Sequence, residues 1–141
     1  MTLRQATGVL SFDTHGRGLC EITDRVRRWT DERGFDEGLL TLFCRHTSAS
    51  LLIQENAARE VRADLESYFE AIAPEDPKRY AHSDEGPDDM PAHLRTALTG
   101  VQLSIPLIGA QLALGTWQGI YLFEHRRRPH RREIALHLLG A

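Results

Sequence analysis

The pattern of hydrophobic and polar positions predicts seven strands in this chain. Residues 39–44 form a short, uniformly apolar run, which is typical of a buried strand. The other segments predicted as strands are 8–14, 49–54, 101–106, 111–114, 119–123 and 133–139. Because these strands are short and separated by turns, the pattern favours a largely antiparallel arrangement.

Two stretches have helical periodicity instead. Thr23 and Asp24 precede one apolar stripe, which Gly34 ends. The second stripe is preceded by Asn56 as the expected N-cap and ended by Pro74. A third, short helix is expected over residues 91–98, starting at a proline and followed by a glycine.

The predicted fold class is therefore α+β. We expect a largely antiparallel sheet core, formed by one sheet or by two packed sheets, with two main helices and one short helix. A chain of 141 residues is long enough for one buried core, so residues 1–141 are predicted to form a single domain.

The segment 112–125 departs from ordinary strand–turn–strand patterning. Two apolar runs flank Gly115, Thr116, Trp117, Gln118 and Gly119, and no tight turn requires a tryptophan and a glutamine. One interpretation is a glycine bend between two strands, with the tryptophan filling the core. The other is a ligand-binding element, because glycines let a backbone approach a ligand closely.

Charge is unevenly distributed along the chain. Residues 55–90 contain eleven acidic and four basic side chains, and residues 91–141 contain six arginines and two glutamates. The net charge is −3, which argues against nucleic acid as a general partner. The arginines at 126–132 could bind a small anion or an acidic surface, or form a solvated turn.

The sequence also limits the location of the protein. It has no apolar run of membrane-spanning length and no secretory signal at its start, so we expect a cytoplasmic protein without a membrane partner. Its two cysteines lack the spacing of a disulfide framework or a thiolate metal site.

Three of the seven histidines are candidates for chemistry. His46 directly follows a predicted strand, His82 lies in an acidic loop, and His93 lies on the short helix. Imidazoles suit Zn²⁺ and related ions, and three protein ligands with an open position are typical of catalytic sites. Their spacing equally allows three histidines that do not share one site.

Several carboxylates could complete such a site. Asp88 and Asp89 precede His93 closely enough to orient its ring or to coordinate Mg²⁺. Glu124 ends an apolar strand, where a charge must reach solvent or find a partner such as an arginine. A solvated surface position remains the alternative for each.

Taken together, several motifs resemble the YjbQ family of secondary thiamine-phosphate synthases. They are the segments 45–50 (RHTSAS), 54–56 (QEN), 80–82 (YAH), 87–93 (PDDMPAH), 98–100 (LTG) and 112–118 (LALGTWQ). The most specific is Gly-Thr-Trp-Gln, and the similarity extends from about Phe12 to the end of the chain.

This resemblance implies a compact α+β fold, a homotrimer with sites near subunit interfaces, and a phosphorylated small-molecule partner. It implies a transferase that joins a pyrimidine diphosphate to a thiazole phosphate, and a divalent metal, Zn or Mg. The residues it indicates as catalytic are His46, Thr47, Ser48, His93 and Glu124. Those indicated as substrate-binding are Gly115, Thr116, Trp117 and Gln118, to which we add Arg45 as an expected phosphate contact. From their side-chain chemistry we expect His46, His82, His93 and Asp89 as metal ligands.

Two positions depart from the family pattern. Pro91 stands where many relatives have a second histidine, which removes one candidate metal ligand. Residues 125–130 are mostly basic, whereas many relatives have a short Asp-Gly-Pro-Arg stretch there. Two other functions stay open: a non-catalytic binding protein for a phosphorylated metabolite, and a histidine-metal-dependent hydrolase.

Overall fold

The computed structural model describes residues 2–141 and has an α+β architecture of two antiparallel sheets and three helices. Met1, the first residue of the predicted domain, lies outside the described residues, and the single domain stays a prediction. The strands are β1 (Arg4–Thr14), β2 (Gly18–Glu21), β3 (Gly38–Cys44), β4 (Ala49–Glu55), β5 (Gln102–Ile108), β6 (Gln111–Leu112), β7 (Gln118–Glu124) and β8 (His130–Gly140). The helices are α1 (Thr23–Asp31), α2 (Arg59–Ile72) and α3 (Asp89–Thr99), with a 3₁₀ turn at Pro77–Arg79.

The larger sheet has the strand order β1-β8-β3-β5-β6, and the smaller sheet has the order β2-β7-β4. Side chains from both sheets meet in one apolar core, which includes Leu40, Leu136 and Ile120. The outer side of the smaller sheet is covered by α2, where Phe69 contacts Phe123 edge to face at 5.4 Å. The α+β prediction with packed antiparallel sheets is therefore confirmed.

Strand β3 is less buried than its sequence predicts. Leu40 and Leu42 are fully buried, whereas Leu39 and Phe43 are nearly half exposed on the outer face of the larger sheet. Because successive side chains of a strand point to opposite faces, an apolar run can contribute only alternate residues to one core.

The predicted helix caps are wrong in detail. Ile22 and Ala58 occupy the N-cap positions of α1 and α2, and neither forms a side-chain capping bond. The Asn56 amide instead donates to Glu21, 3.2 Å away, while Glu55 accepts the Ala58 amide at 3.1 Å. Tertiary contacts therefore replace the local capping that the sequence favours.

The two apolar runs around Gly115 do not pair with each other. Strand β6 pairs with β5 in the larger sheet, whereas β7 lies between β2 and β4 in the smaller one. Trp117 is 62% exposed, so the interpretation of a core-filling tryptophan is wrong. The turn carries the chain from one sheet to the other.

Among residues 2–141, no helix is both long and apolar enough to cross a membrane.

Candidate metal centre

The first turn of α3 places Asp89 and His93 side by side. They are four residues apart and therefore share one helix face. The Asp89 side chain is almost completely buried, and its Oδ1 accepts from Arg126 Nη1 at 2.7 Å. Arg126 Nε also donates to Asp88 Oδ2 at 3.1 Å. The arginine thus holds Asp89 in place and leaves Oδ2 for other partners.

His82 reaches the same carboxylate from the acidic loop. Its Nε2 lies 3.0 Å from Asp89 Oδ2, and so does Nε2 of His93. One donor atom from each of the three side chains lies within 4.8 Å of the other two. Two imidazoles and a carboxylate, separated by up to eleven residues in sequence, thereby converge on one point.

The contact of Nδ1, the second ring nitrogen of His93, determines which nitrogen of this ring carries a proton. Nδ1 lies 2.8 Å from the carbonyl oxygen of Thr47, which can only accept, so Nδ1 carries a proton. In the neutral ring Nε2 then presents a lone pair to a carboxylate oxygen. Two acceptors at 3.0 Å attract each other only when a cation, either a proton or a metal ion, lies between them.

The donor set fits a transition-metal ion. A backbone carbonyl that accepts from the distal ring nitrogen is the usual way in which proteins orient a ligating histidine. Three protein ligands leave coordination positions open for water or a ligand. Two imidazoles suit zinc or iron better than magnesium, which prefers oxygen ligands and retains several waters.

His46 lies outside this three-residue cluster. Its Nε2 accepts the backbone N–H of Glu133 at 2.8 Å, so the lone pair of this nitrogen is already used. Burial lowers the pKa of His46, and the nearby Arg132 lowers it further. The structure thus unites three of the four expected metal ligands, and the inclusion of His46 is corrected.

The two hydroxyl residues after His46 have different surroundings, because Thr47 is exposed and lines a cleft whereas Ser48 is buried. Thr47 contributes its carbonyl oxygen to His93, as described above. The buried Ser48 accepts from Arg132 Nη2 at 2.9 Å through its hydroxyl oxygen. Arg45, by contrast, has a half-exposed side chain 3.5 Å from Glu133.

Glu124 is a structural residue, which corrects its expected catalytic role. It is 1% exposed, and Oε1 accepts from Arg132 Nε at 2.8 Å and from the Thr14 hydroxyl at 2.6 Å. Burial raises the pKa of this carboxyl, but the hydrogen bonds from Arg132 and Thr14 outweigh burial and hold the pKa below its ordinary value. Its two carboxylate oxygens are engaged by Arg132, Thr14 and the backbone N–H groups of residues 125 and 126, so Glu124 stabilises the fold.

The Gly-Thr-Trp-Gln turn lies far from the histidines within one chain. Gln118 pairs with Glu55 at one end of β7, and Glu124 pairs with Ala49 at the other end, beside the His46–Ser48 segment. At about 3.3 Å per residue these ends are roughly 20 Å apart. Gln118 accepts the Gly115 amide at 2.7 Å through its side chain, so the turn is internally braced.

Only indirect signals in the sequence pointed to the arginines that contact these carboxylates. Arg126 contacts Asp88 and Asp89, and Arg132 lies against Glu124 in the core. The apolar strand ending on Glu124 predicts a buried partner of opposite charge, but not which of five nearby arginines supplies it. Both interactions span the fold, and their geometry comes from tertiary packing.

A family model described as UPF0047 protein YjbQ-like matches residues 9–141. The chain belongs to this family. A UPF0047 protein of Synechocystis is 48% identical, with 99% of this chain and 95% of the relative covered. The protein named YjbQ in Salmonella typhimurium is 44% identical over 88% of this chain and 90% of its own. The family resemblance read from the sequence is confirmed.

Solved structures of similar proteins share the fold. A YbjQ-like protein of unknown function from Sulfolobus solfataricus superposes with a TM-score of 0.91 at 22% identity, covering 99% of this chain and all of the other. A conserved hypothetical protein from Thermus thermophilus gives a TM-score of 0.81 at 31% identity, covering 92% and 97%. The packed-sheet architecture is therefore that of the YjbQ-like proteins.

These comparisons overturn the expected thiamine-phosphate synthase activity. The relatives are named as UPF0047 or YjbQ proteins, and the Sulfolobus protein is described as being of unknown function. None is named as a transferase, a hydrolase or a phosphometabolite-binding protein, so the two alternative functions lose their support as well. Within the structure, Arg126 and Arg132 are paired with carboxylates.

Proposed function

We propose that this YjbQ-family chain binds one divalent transition-metal ion through His82, Asp89 and His93. The observation that carries the proposal is the His93 ring, whose Nδ1 donates to Thr47 while Nε2 faces a carboxylate oxygen at 3.0 Å. A metal ion between Nε2 and that oxygen converts a repulsive contact into two coordinate bonds.

The surroundings of Asp89 also favour an ion at this position. Arg126 donates a hydrogen bond to Asp89 Oδ1, while Asp89 Oδ2 faces the two histidines. The His82 side chain is 45% exposed, so an ion can enter from solvent without opening the core. An ion held by three ligands retains positions at which it can polarise the oxygen of a bound molecule.

Zinc fits this donor set better than magnesium. Neutral imidazole nitrogens bind borderline ions of the zinc type, whereas magnesium is held mainly by carboxylates, phosphates and water. Iron and manganese share the preference for two histidines and a carboxylate, so the binding experiment compares these ions with zinc.

Metal titration of the purified protein tests the proposal. After chelator treatment, we expect one zinc ion per chain by calorimetry and elemental analysis, with weaker magnesium binding. His93→Asn should lower zinc affinity by at least tenfold, and His137→Asn is the matched control because His137 lies on the larger sheet, bonded to Gln5. Unchanged zinc affinity in His93→Asn contradicts the proposal, as does a His93 ring that NMR shows doubly protonated in zinc-saturated protein.

We also propose a homotrimer in which the Gly-Thr-Trp-Gln turn of one subunit lies near the metal centre of another. The roughly 20 Å between these elements along β7 supports a contribution from a second subunit. The 62% exposure of Trp117 supports it too, because a large exposed aromatic side chain is a common interface anchor. Light scattering on the full chain measures the mass directly.

A further inference from the structure

An open cleft adjoins the metal centre and includes His93 in its lining, but its walls are mostly apolar. It has a volume of about 810 Å³ and lies between α3 and strands β3 and β8. Its apolar walls are formed by Phe43, Ala97, Val101 and Ala135. A cleft of this size and character is typical of sites for small organic molecules.

The polar lining residues of the cleft are Arg45, His46 and Thr47, which follow β3, together with His93 and Thr96 on α3. The His46 Nε2 accepts the Glu133 N–H at 2.8 Å, so in the neutral ring the proton is on Nδ1. Nδ1 has no hydrogen-bond partner within the described residues, and the ring lines the cleft. His46 therefore offers the cleft one N–H donor in a fixed orientation.

The charge of these lining residues limits the ligand. Arg45 is the only arginine or lysine among the lining residues of the cleft, and Glu133 already lies 3.5 Å from it, while the His93 ring faces the Asp89 carboxylate. Burial and the nearby Arg132 lower the pKa of His46, which keeps its ring neutral at physiological pH. Glu133 partly neutralises the charge of Arg45, and the His46 N–H carries no charge. Together these groups can balance a single negative charge but not the two charges of a phosphate dianion.

We propose that this cleft binds an organic monocarboxylate with an apolar body. The carboxylate accepts from His46 Nδ1 and from the Arg45 guanidinium, whose half-exposed side chain is free to turn inward. The apolar body packs against Phe43 and Val101, removing their surface from water. This inference does not depend on the metal ion, because none of the groups that contact the carboxylate is one of the three proposed ligands.

Calorimetry with 4-phenylbutyrate on the chelator-treated full chain tests the inference. We expect one site per chain, with 4-phenylbutanol at least tenfold weaker and inorganic phosphate not competing. Equal binding of the acid and the alcohol, or displacement by phosphate, overturns the proposed monocarboxylate selectivity.

Two variants on α3 distinguish ligand binding in the cleft from a general disturbance of the helix. Ala97→Glu places a negative charge in the cleft wall and should abolish 4-phenylbutyrate binding. Leu98→Glu is the matched control, since Leu98 is 65% exposed, adjacent in sequence and not part of the lining, and it should bind normally. Retained binding in Ala97→Glu overturns the proposal.

His46 variants test the oriented donor. His46→Phe removes both hydrogen bonds and should weaken 4-phenylbutyrate at least tenfold, whereas His46→Gln can accept from Glu133 and still donate, so it should restore much of the affinity. If both variants bind like the parent chain, His46 does not bind the carboxylate and the proposal fails.

Two further measurements distinguish this inference from the others. Zinc stoichiometry in Ala97→Glu should remain one per chain, so loss of ligand binding is separable from loss of the metal centre. If Ala97→Glu lowers the oligomer mass and the parent oligomer does not bind the probe, a second copy covers the cleft and the small-molecule site is overturned.

Discussion

His93 Nε2 lies 3.0 Å from Asp89 Oδ2 while Nδ1 of the same ring donates to the Thr47 carbonyl 2.8 Å away. This relationship joins the first turn of α3 to the segment after β3, and it defines which ring nitrogen is available to a metal. Because the carbonyl cannot donate, the geometry requires a cation between His93 and Asp89.

Asp89→Asn should weaken zinc binding at least tenfold while preserving the fold. The amide has nearly the same shape as the carboxylate, and its oxygen can still accept from Arg126, but the negative charge facing the ion is lost. Titration with zinc checks this result. Asp84→Asn, in the exposed loop before α3, is the matched control and should bind zinc like the parent chain.

Glu124→Gln should destabilise the protein by about 3–5 kcal/mol, because it leaves the charge of Arg132 buried without its counter-ion. Chemical denaturation measures the loss. Glu133→Gln is the matched comparison, since its pair with Arg45 is half exposed and contributes about 0–1 kcal/mol. Similar losses in both variants would contradict the structural role assigned to Glu124.

The Glu124–Arg132 pair predicts that the protein loses stability in acid. The pKa of Glu124 is lower in the folded protein than its ordinary value of 4.5. Its contribution is therefore fully present above that value and is lost as pH falls through the lower folded pKa. Denaturation midpoints measured downward from pH 5 should fall more steeply for the parent chain than for Glu124→Gln.

His125 predicts a second and separate pH dependence. Burial, reinforced by the charge of Arg95, lowers its pKa from 6.5 to about 3, so the folded protein keeps the ring neutral. The unfolded chain takes up a proton below pH 6.5, and stability is lost as pH falls from 6.5 towards 3. The ring contacts the Ser50 hydroxyl through Nε2 at 2.8 Å and has no access to solvent.

His125→Asn removes this titration and should flatten the stability between pH 6.5 and 5, a window above the Glu124 transition. Urea unfolding at these two pH values provides the measurement. His15→Asn is the control, because His15 is exposed in the turn after β1. A pH slope that survives in His125→Asn would show that another group carries the dependence.

Trp117→Ala should separate assembly from folding. The side chain is 62% exposed in one chain, so its truncation should change the stability of the subunit by no more than about 0.5 kcal/mol. Light scattering should nevertheless show a smaller oligomer if this turn anchors a second copy. Trp29→Ala provides the contrast: Trp29 is buried against Gly8, and its loss should cost about 3–5 kcal/mol. An unchanged mass for Trp117→Ala would exclude the turn as the anchor.

The sequence by itself determined the local elements and the family. Periodicity located the helix that became α2 and seven of the eight strands, because burial on one face leaves a period of two or 3.6 in the sequence. It missed β2, whose four residues are too short to show a period. Motifs in the correct order identified the YjbQ family, and the same motifs named His82, Asp89 and His93.

Only the tertiary structure decided which of those residues meet. The sequence grouped His46 with the other histidines, but the backbone N–H of Glu133, 87 positions away, occupies its Nε2. It treated Glu124 as catalytic, whereas Arg132 and Thr14 enclose it in the core. It placed Gly-Thr-Trp-Gln beside the site, whereas the register of β4 with β7 separates them. Strand pairing and long-range hydrogen bonds depend on three-dimensional packing, and a pattern of neighbours along the chain does not encode them.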